Sequence, residues 1–146
     1  MTPFLIDMAL LFERFVAEWL RVHLPESMRL KAQEDVDLTE AGDLRFRIDL
    51  VLYDAQSGDP VMVLDTKYKA PDAPSTDDVG KITAYAVSKR CTEAALIYPA
   101  MLPSPLGTLM GGSIHVRSLT YDIEHDLEDS GIGLLADLGA TRWVTQ

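Results

Sequence analysis

The strongest constraint on the fold is the segment 61–69, VMVLDTKYK, in which an apolar run ends abruptly in charged residues. Apolar side chains on both faces of a strand are typical of a central position in a sheet, with packing partners on either side. Asp65 and Lys67 then follow two residues apart, a spacing that places both side chains on one face, about 6.6 Å apart along the strand. Such a pair fits either an ion-paired strand end leading into a loop or an active site at the end of a sheet.

Length and composition limit the class of protein. The 146 residues suffice for one domain with a substantial core, and because no shift in composition suggests a second one, we predict a single domain over residues 1–146. No apolar run approaches the roughly 18 residues of a membrane span, and the N-terminal segment lacks the basic start of a signal peptide. The single cysteine, Cys91, excludes a disulfide within the chain, and the three histidines do not cluster with it as zinc ligands would. We therefore expect a cytoplasmic protein.

The charge balance restricts how the chain can bind nucleic acid. Thirteen basic and 23 acidic residues give a formal net charge of −10. Binding through basic surface alone is disfavoured, because such proteins neutralise phosphates with lysine and arginine. A site in which bound divalent cations supply the positive charge is compatible with this composition.

Hydrophobic periodicity predicts the order of elements. A first helix over 4–24 ends before Pro25 and carries a core-facing stripe of Phe4, Met8, Leu11, Phe12, Phe15 and Trp19. Strands are predicted at 28–34, 44–53, 61–68, 93–99 and 113–123. A second helix is predicted at 79–90, capped by Thr76 or Asp77, and the tail has weak helical character. Polar or proline-containing loops are predicted at 35–43 and 101–112. This order indicates an α/β domain, a mixed central sheet of about five strands with helices on both faces.

A second carboxylate interrupts the preceding apolar strand, Asp49 in FRIDLVLY. If the two strands form a hairpin, symmetric pairing about Ser57 places Asp49 opposite Asp65. Adjacent carboxylates repel unless one is protonated or a cation lies between them. Mg²⁺ binds one or two carboxylates together with water and phosphate oxygens, and Lys67 on the same face could orient the attacking water or offset charge on the phosphate.

Glu13 is a third candidate carboxylate. Its neighbours one helical turn away are all apolar: Ala9, Leu10, Val16 and Ala17. A glutamate in that setting is unusual for a solvated face, and a surface role and a site role both stay open. For Asp49 the alternative is a solvent-facing strand position, ion-paired with Arg45 or Arg47.

Together these segments resemble the PD-(D/E)xK nuclease superfamily, and more narrowly the nuclease domain of the McrC component of 5-methylcytosine-specific restriction systems. The resemblance spans residues 4–99 and is carried by LLFERFV, FRIDLVLY, VMVLDTKYK, DDVGKITAYAVS and AALIYP, in that order. It implies a restriction-endonuclease-like core and a DNA endonuclease that depends on Mg²⁺, with Mn²⁺ as a substitute. By this likeness Asp49, Asp65 and Lys67 are the catalytic residues, and Glu13 joins the two aspartates as a metal ligand.

Three features depart from the family pattern. Ile48 replaces the proline of the PD motif, and Lys81 stands where a glutamine is expected on the second helix. Lys81 and Lys69 are candidate substrate contacts, and Lys69 would replace Lys67 if the strand register were shifted by one pleat. Restriction-type relatives also carry an N-terminal part that engages a GTP-hydrolysing AAA+ motor, which the present sequence does not include.

The resemblance implies two partners, DNA and the AAA+ motor subunit. Two further hypotheses remain beside the nuclease. One is a nuclease-fold domain without catalytic activity that serves as a binding or assembly module. The other is a homodimer with paired sites, for which apolar residues in the segment 100–112 would provide the interface.

Overall fold

The computed structural model describes residues 7–37, 39–107, 109–111 and 113–139. Its elements in chain order are α1 (Met8–His23), β1 (Met28–Asp37), β2 (Arg45–Asp54), β3 (Pro60–Thr66), α2 (Thr76–Lys89), β4 (Glu93–Tyr98), β5 (Leu109–Gly111), β6 (Ile114–Thr120) and α3 (Leu127–Asp137). Within these described residues, no helix is long and apolar enough to cross a membrane.

The strands form one mixed sheet in the order β1-β2-β3-β4-β6-β5. The first three strands are antiparallel, β3 and β4 pair in parallel, and so do β4 and β6. One core cluster joins α1 and α3 to the sheet and a second joins α2 to the opposite face. The predicted α/β class, with helices on both faces and β3 in the interior of the sheet, is confirmed. The three-residue edge strand β5 lies in the segment predicted as a loop and adds a sixth strand.

The first helix begins later than predicted, at Met8, and Phe4 lies outside the described residues. Met8 and Leu11 were predicted to face the core, but their side chains are 39% and 52% exposed, whereas Val16 and Leu20 are fully buried. Because successive residues are rotated by about 100° around a helix, Leu11 falls outside the face that contacts the sheet. Both exposed residues line an apolar surface groove between α1 and α3.

The strand β1 extends beyond its predicted end and includes residues that the sequence indicated as a turn. Asp35 pairs with Arg47 across the ladder and Asp37 pairs with Arg45. Each of these two residue pairs is also an ion pair, with Nε–Oδ1 distances of 3.1 Å for Arg47–Asp35 and 2.7 Å for Arg45–Asp37. These cross-strand charge pairs favour continuation of the strand. They also engage the two arginines that were considered as partners of Asp49.

The second helix begins at Thr76, three residues before its predicted start at 79. Its N-cap is Ser75 rather than Thr76 or Asp77. The Ser75 backbone is extended and its Oγ accepts a hydrogen bond from the Asp78 amide at 3.1 Å, which satisfies one of the free N–H groups of the first turn. This hydrogen bond fixes the backbone of Asp78 in the first turn of α2.

The helices α1 and α3 meet where Gly131 lies against the indole of Trp19. A Cβ at position 131 would lie 2.3 Å from the Trp19 ring, closer than any real contact, whereas a Cβ at Gly133 in the same helix would meet nothing within 4 Å. We expect Gly131→Ala to lower the free energy of unfolding by about 2 kcal/mol through overpacking. The matched control Gly133→Ala should raise it by up to about 1 kcal/mol, because alanine favours the helix. Urea denaturation of both variants tests this, and equal changes would contradict the packing argument.

Candidate functional site

The hairpin of β2 and β3 brings the two predicted aspartates to the same end of the sheet. Its register pairs Leu50 with Leu64 and Val51 with Val63, so the next positions along the ladder are Asp49 and Asp65. This is the symmetric register predicted from the sequence. The hairpin therefore places the carboxyl groups side by side at the end of β3.

The Asp49 carboxyl is held by β3 and faces two other acids. Its Oδ2 accepts hydrogen bonds from the Thr66 amide at 3.1 Å and from the Thr66 hydroxyl at 3.2 Å. Asp65 and Glu13 both lie within hydrogen-bonding reach of it. Burial, the contact with Asp65 and then the contact with Glu13 raise the pKa of Asp49 to about 9. With no cation nearby, Asp49 therefore carries a proton at neutral pH.

Glu13 reaches the site from α1, and a distorted residue of β1 orients it. The Gln33 side-chain amide donates a hydrogen bond to Glu13 Oε2 at 2.9 Å. Gln33 has a φ of 54°, in the left-handed region that is uncommon for residues other than glycine. A strained backbone conformation of this kind persists only where the surrounding structure holds it in place, and such residues are often found at functional sites.

Near this distortion the regular alternation of β2 is broken. Ile48 packs in the core beneath α2, whereas Leu50, two residues later, packs in the core beneath α1. In a regular strand, residues at i and i+2 share a face. The break falls at Asp49, and it sets the local orientation of that residue.

The amine of Lys67 lies between two carboxylates. The residue follows β3 directly, and its amide still donates to the Ile97 carbonyl at 2.8 Å, which continues the strand pairing by one residue. Its Nζ is 2.8 Å from Asp65 Oδ2 and 3.8 Å from Asp78 Oδ1. Burial alone would lower the pKa of Lys67, but the charges of Asp65, Asp78 and Asp49 outweigh it and raise that pKa. Lys67 is therefore an ammonium at neutral pH.

The other two lysines considered from the sequence occupy different surroundings. Lys69 Nζ is 2.6 Å from Asp78 Oδ2, the oxygen of Asp78 that Lys67 does not approach. Lys81 is exposed on α2, and among the described residues no hydrogen bond or ion pair connects it to the site. The structure therefore brings Glu13, Asp49, Asp65 and Lys67 together, places Lys69 at the edge of that group, and leaves Lys81 outside it.

Sequence reasoning missed two residues that belong to this cluster, Gln33 and Asp78. Gln33 has a side chain suited to a polar site, but hydrophobic periodicity does not predict a positive φ at a glutamine. Asp78 lies in the DDVGKITAYAVS segment and is only 8% exposed. A buried aspartate in the first turn of a helix cannot be distinguished by sequence from an ordinary helix-start acid such as Asp77.

The donor set suits a hard divalent cation. Within the described residues, no three His, Cys, Asp or Glu side chains are already grouped around a metal position. Mg²⁺ nevertheless needs only one or two carboxylates, and takes its remaining ligands from water and phosphate. The contact between Asp49 and Asp65 supplies two carboxyl groups whose mutual repulsion a cation would relieve. The residues present thus fit a cation of this kind.

Fold and site together define the class: an α/β domain whose central hairpin ends in paired aspartates with a lysine amine beside them. The family model described as the McrBC 5-methylcytosine restriction system component matches residues 1–99. The chain belongs to this family, as the sequence motifs predicted. No curated protein matches the chain.

Proposed function

We propose that this chain is the nuclease domain of a restriction system and hydrolyses DNA phosphodiester bonds with the help of a divalent cation. One observation carries the proposal: the β2–β3 hairpin places Asp49 and Asp65 close enough for their carboxyls to interact, and the Lys67 amine lies 2.8 Å from Asp65 Oδ2. Two neighbouring carboxylates can bind a metal ion, and a lysine amine beside them can donate to a water or a phosphate oxygen. This combination suits metal-assisted attack of water on a phosphate. Membership of a restriction-system family supports the same substrate class.

Asp49 and Asp65 would hold Mg²⁺ or Mn²⁺, with Glu13 completing the acidic side of the site. When bound, such a cation lowers the pKa of a coordinated water and withdraws charge from the phosphate oxygens. The Thr66 amide and hydroxyl fix Asp49, and the Gln33 amide fixes Glu13. These contacts limit the motion of the ligands, and precise ligand orientation is what such sites require.

Lys67 would orient the attacking water and offset the negative charge that develops on the phosphate. Its raised pKa keeps it protonated, so it acts as a hydrogen-bond donor and a positive charge rather than as a base. Cations bound at the site would also reduce the repulsion between DNA and a chain of net charge −10.

The family description names a component of a system, and we propose that other subunits assist this chain. The partner we propose is a GTP-hydrolysing AAA+ motor, with DNA as the shared substrate. A dependence of cleavage on that motor would agree with the net charge of −10, because a partner with a basic surface would supply contacts to the DNA phosphates.

Two lysine variants and a binding experiment test the function. We expect Lys67→Ala to slow Mg²⁺- or Mn²⁺-dependent cleavage of plasmid DNA by roughly 100-fold, because a charge-stabilising donor is lost. Lys69→Ala should slow it less than about tenfold, because its amine is held by Asp78, away from Asp65. Calorimetry should show Mg²⁺ binding to the folded wild-type protein.

The contrary results are equally specific. Equal losses in the two lysine variants would remove the role assigned to Lys67. A folded protein that binds no divalent cation and cleaves no DNA, with or without the motor subunit, would instead favour the binding or assembly module.

A further inference from the structure

Asp78 connects the two lysines of the site through different oxygens. Its Oδ2 lies 2.6 Å from Lys69 Nζ, and its Oδ1 lies 3.8 Å from Lys67 Nζ. We infer that Asp78 is a positioning residue that holds Lys69 away from Asp65 and retains Lys67 when Asp65 binds a cation. This inference rests on the proposed function for its catalytic consequence, but not for the geometry.

The surroundings of Asp78 differ from those of an ordinary acid at a helix start. Asp77 is in the same first turn of α2 and is exposed, whereas Asp78 is 8% exposed. The Ser75 cap accepts the Asp78 amide hydrogen at 3.1 Å, which fixes the backbone from which the side chain projects. A buried carboxylate is costly unless it is paired, and its partners here are the two site amines.

The need for such a residue follows from the position of Lys67. Its Nζ now lies 2.8 Å from Asp65 Oδ2, so a cation and this amine would compete for the same carboxylate. A cation bound to the same carboxylate would repel this amine, and the repulsion favours a shift of the amine when Asp65 takes a cation. Asp78 Oδ1, at 3.8 Å, is the acceptor already beside it and keeps the amine near the site rather than in solvent.

The same carboxylate keeps Lys69 from competing. Lys69 is two residues from Lys67, and the ion pair with Asp78 Oδ2 directs its amine away from the aspartate pair. Without the Asp78 charge, two ammonium groups would face Asp65, and the site would be one unit more positive. Cation binding would weaken and the position of Lys67 would no longer be defined.

The test compares Asp78→Asn with the matched control Asp77→Asn, which removes a charge from the same helical turn without touching a site amine. In Asp78→Asn we expect Mg²⁺ affinity, measured by calorimetry, to fall roughly tenfold and kcat for DNA cleavage to fall with little change in KM. Asp77→Asn should leave both within about twofold. Crystal structures of the two variants without cation should show the Lys69 amine displaced only in Asp78→Asn.

A double variant distinguishes a loss of Lys67 positioning from a change in the net charge of the site. Asp78→Asn with Lys69→Met restores the net charge of the site, so Mg²⁺ affinity should recover while kcat stays low, because a neutral amide oxygen holds the Lys67 ammonium less firmly than the carboxylate does. Recovery of kcat together with affinity would overturn the positioning role. Unmoved lysine amines in the Asp78→Asn crystal structure would overturn the inference regardless of activity. If the wild-type protein neither binds Mg²⁺ nor cleaves DNA, the proposed function is rejected. Displaced lysine amines in Asp78→Asn would in that case still support the structural role of Asp78.

Discussion

Asp65→Ala is expected to reduce cation-dependent DNA cleavage by roughly 1,000-fold while the protein stays folded. The buried Asp65 carboxylate contacts Asp49 and pairs with Lys67, so its removal takes away a proposed metal ligand and the nearest acceptor of the lysine amine together. Initial rates of plasmid cleavage at saturating Mg²⁺ measure the effect, and circular dichroism checks the fold.

The control for this variant lies next to the same strand. Asp59 immediately precedes β3, at the end of the strand opposite Asp65, and its side chain is exposed. Asp59→Ala should cleave at the wild-type rate. If the two variants have equal activity, the end of β3 that carries Asp65 is not the catalytic end.

Asp49→Asn is expected to stabilise the protein at pH 8 in the absence of divalent cations, by roughly 2 kcal/mol. Burial, Asp65 and Glu13 raise the pKa of Asp49 to about 9, against about 3.9 for an unfolded aspartate. The folded state therefore binds a proton that the unfolded state releases, so stability is full below about pH 4 and falls as pH rises towards 9. Asparagine carries no charge to desolvate, and its amide can still donate to the neighbouring carboxylates and accept from Thr66.

Urea denaturation at pH 5 and pH 8 with EDTA present measures this difference. The loss of stability between the two pH values should be larger in the wild type than in Asp49→Asn, and Asp59→Asn should behave as the wild type. Added Mg²⁺ should stabilise the wild type at pH 8 and have a smaller effect on the variant, because one proposed ligand is gone. Identical pH dependence in the wild type and Asp49→Asn would show that Asp49 is not held in its protonated form.

Several elements of the architecture were predictable because they depend on local patterns. The apolar run before Asp65 predicted an interior strand, and the turn-rich segment after β2 predicted the hairpin that sets Asp49 opposite Asp65. In two places where the prediction was wrong, a long-range contact decided the outcome. The face of α1 that is buried depends on the sheet and α3, and β1 continues to Asp37 because its aspartates meet Arg45 and Arg47 on the next strand.

By itself, the sequence determined three of the groups at the site, because hairpin symmetry and the spacing of residues along β3 act over a few residues and bring Asp49, Asp65 and Lys67 to one end of the sheet. The tertiary structure alone decided how those groups are held. The turn of α2 that brings Asp78 to two lysines and the strained Gln33 that steadies Glu13 both depend on elements distant in the chain. Electrostatic forces between such groups depend on their distances and burial, and only the packed fold sets these quantities.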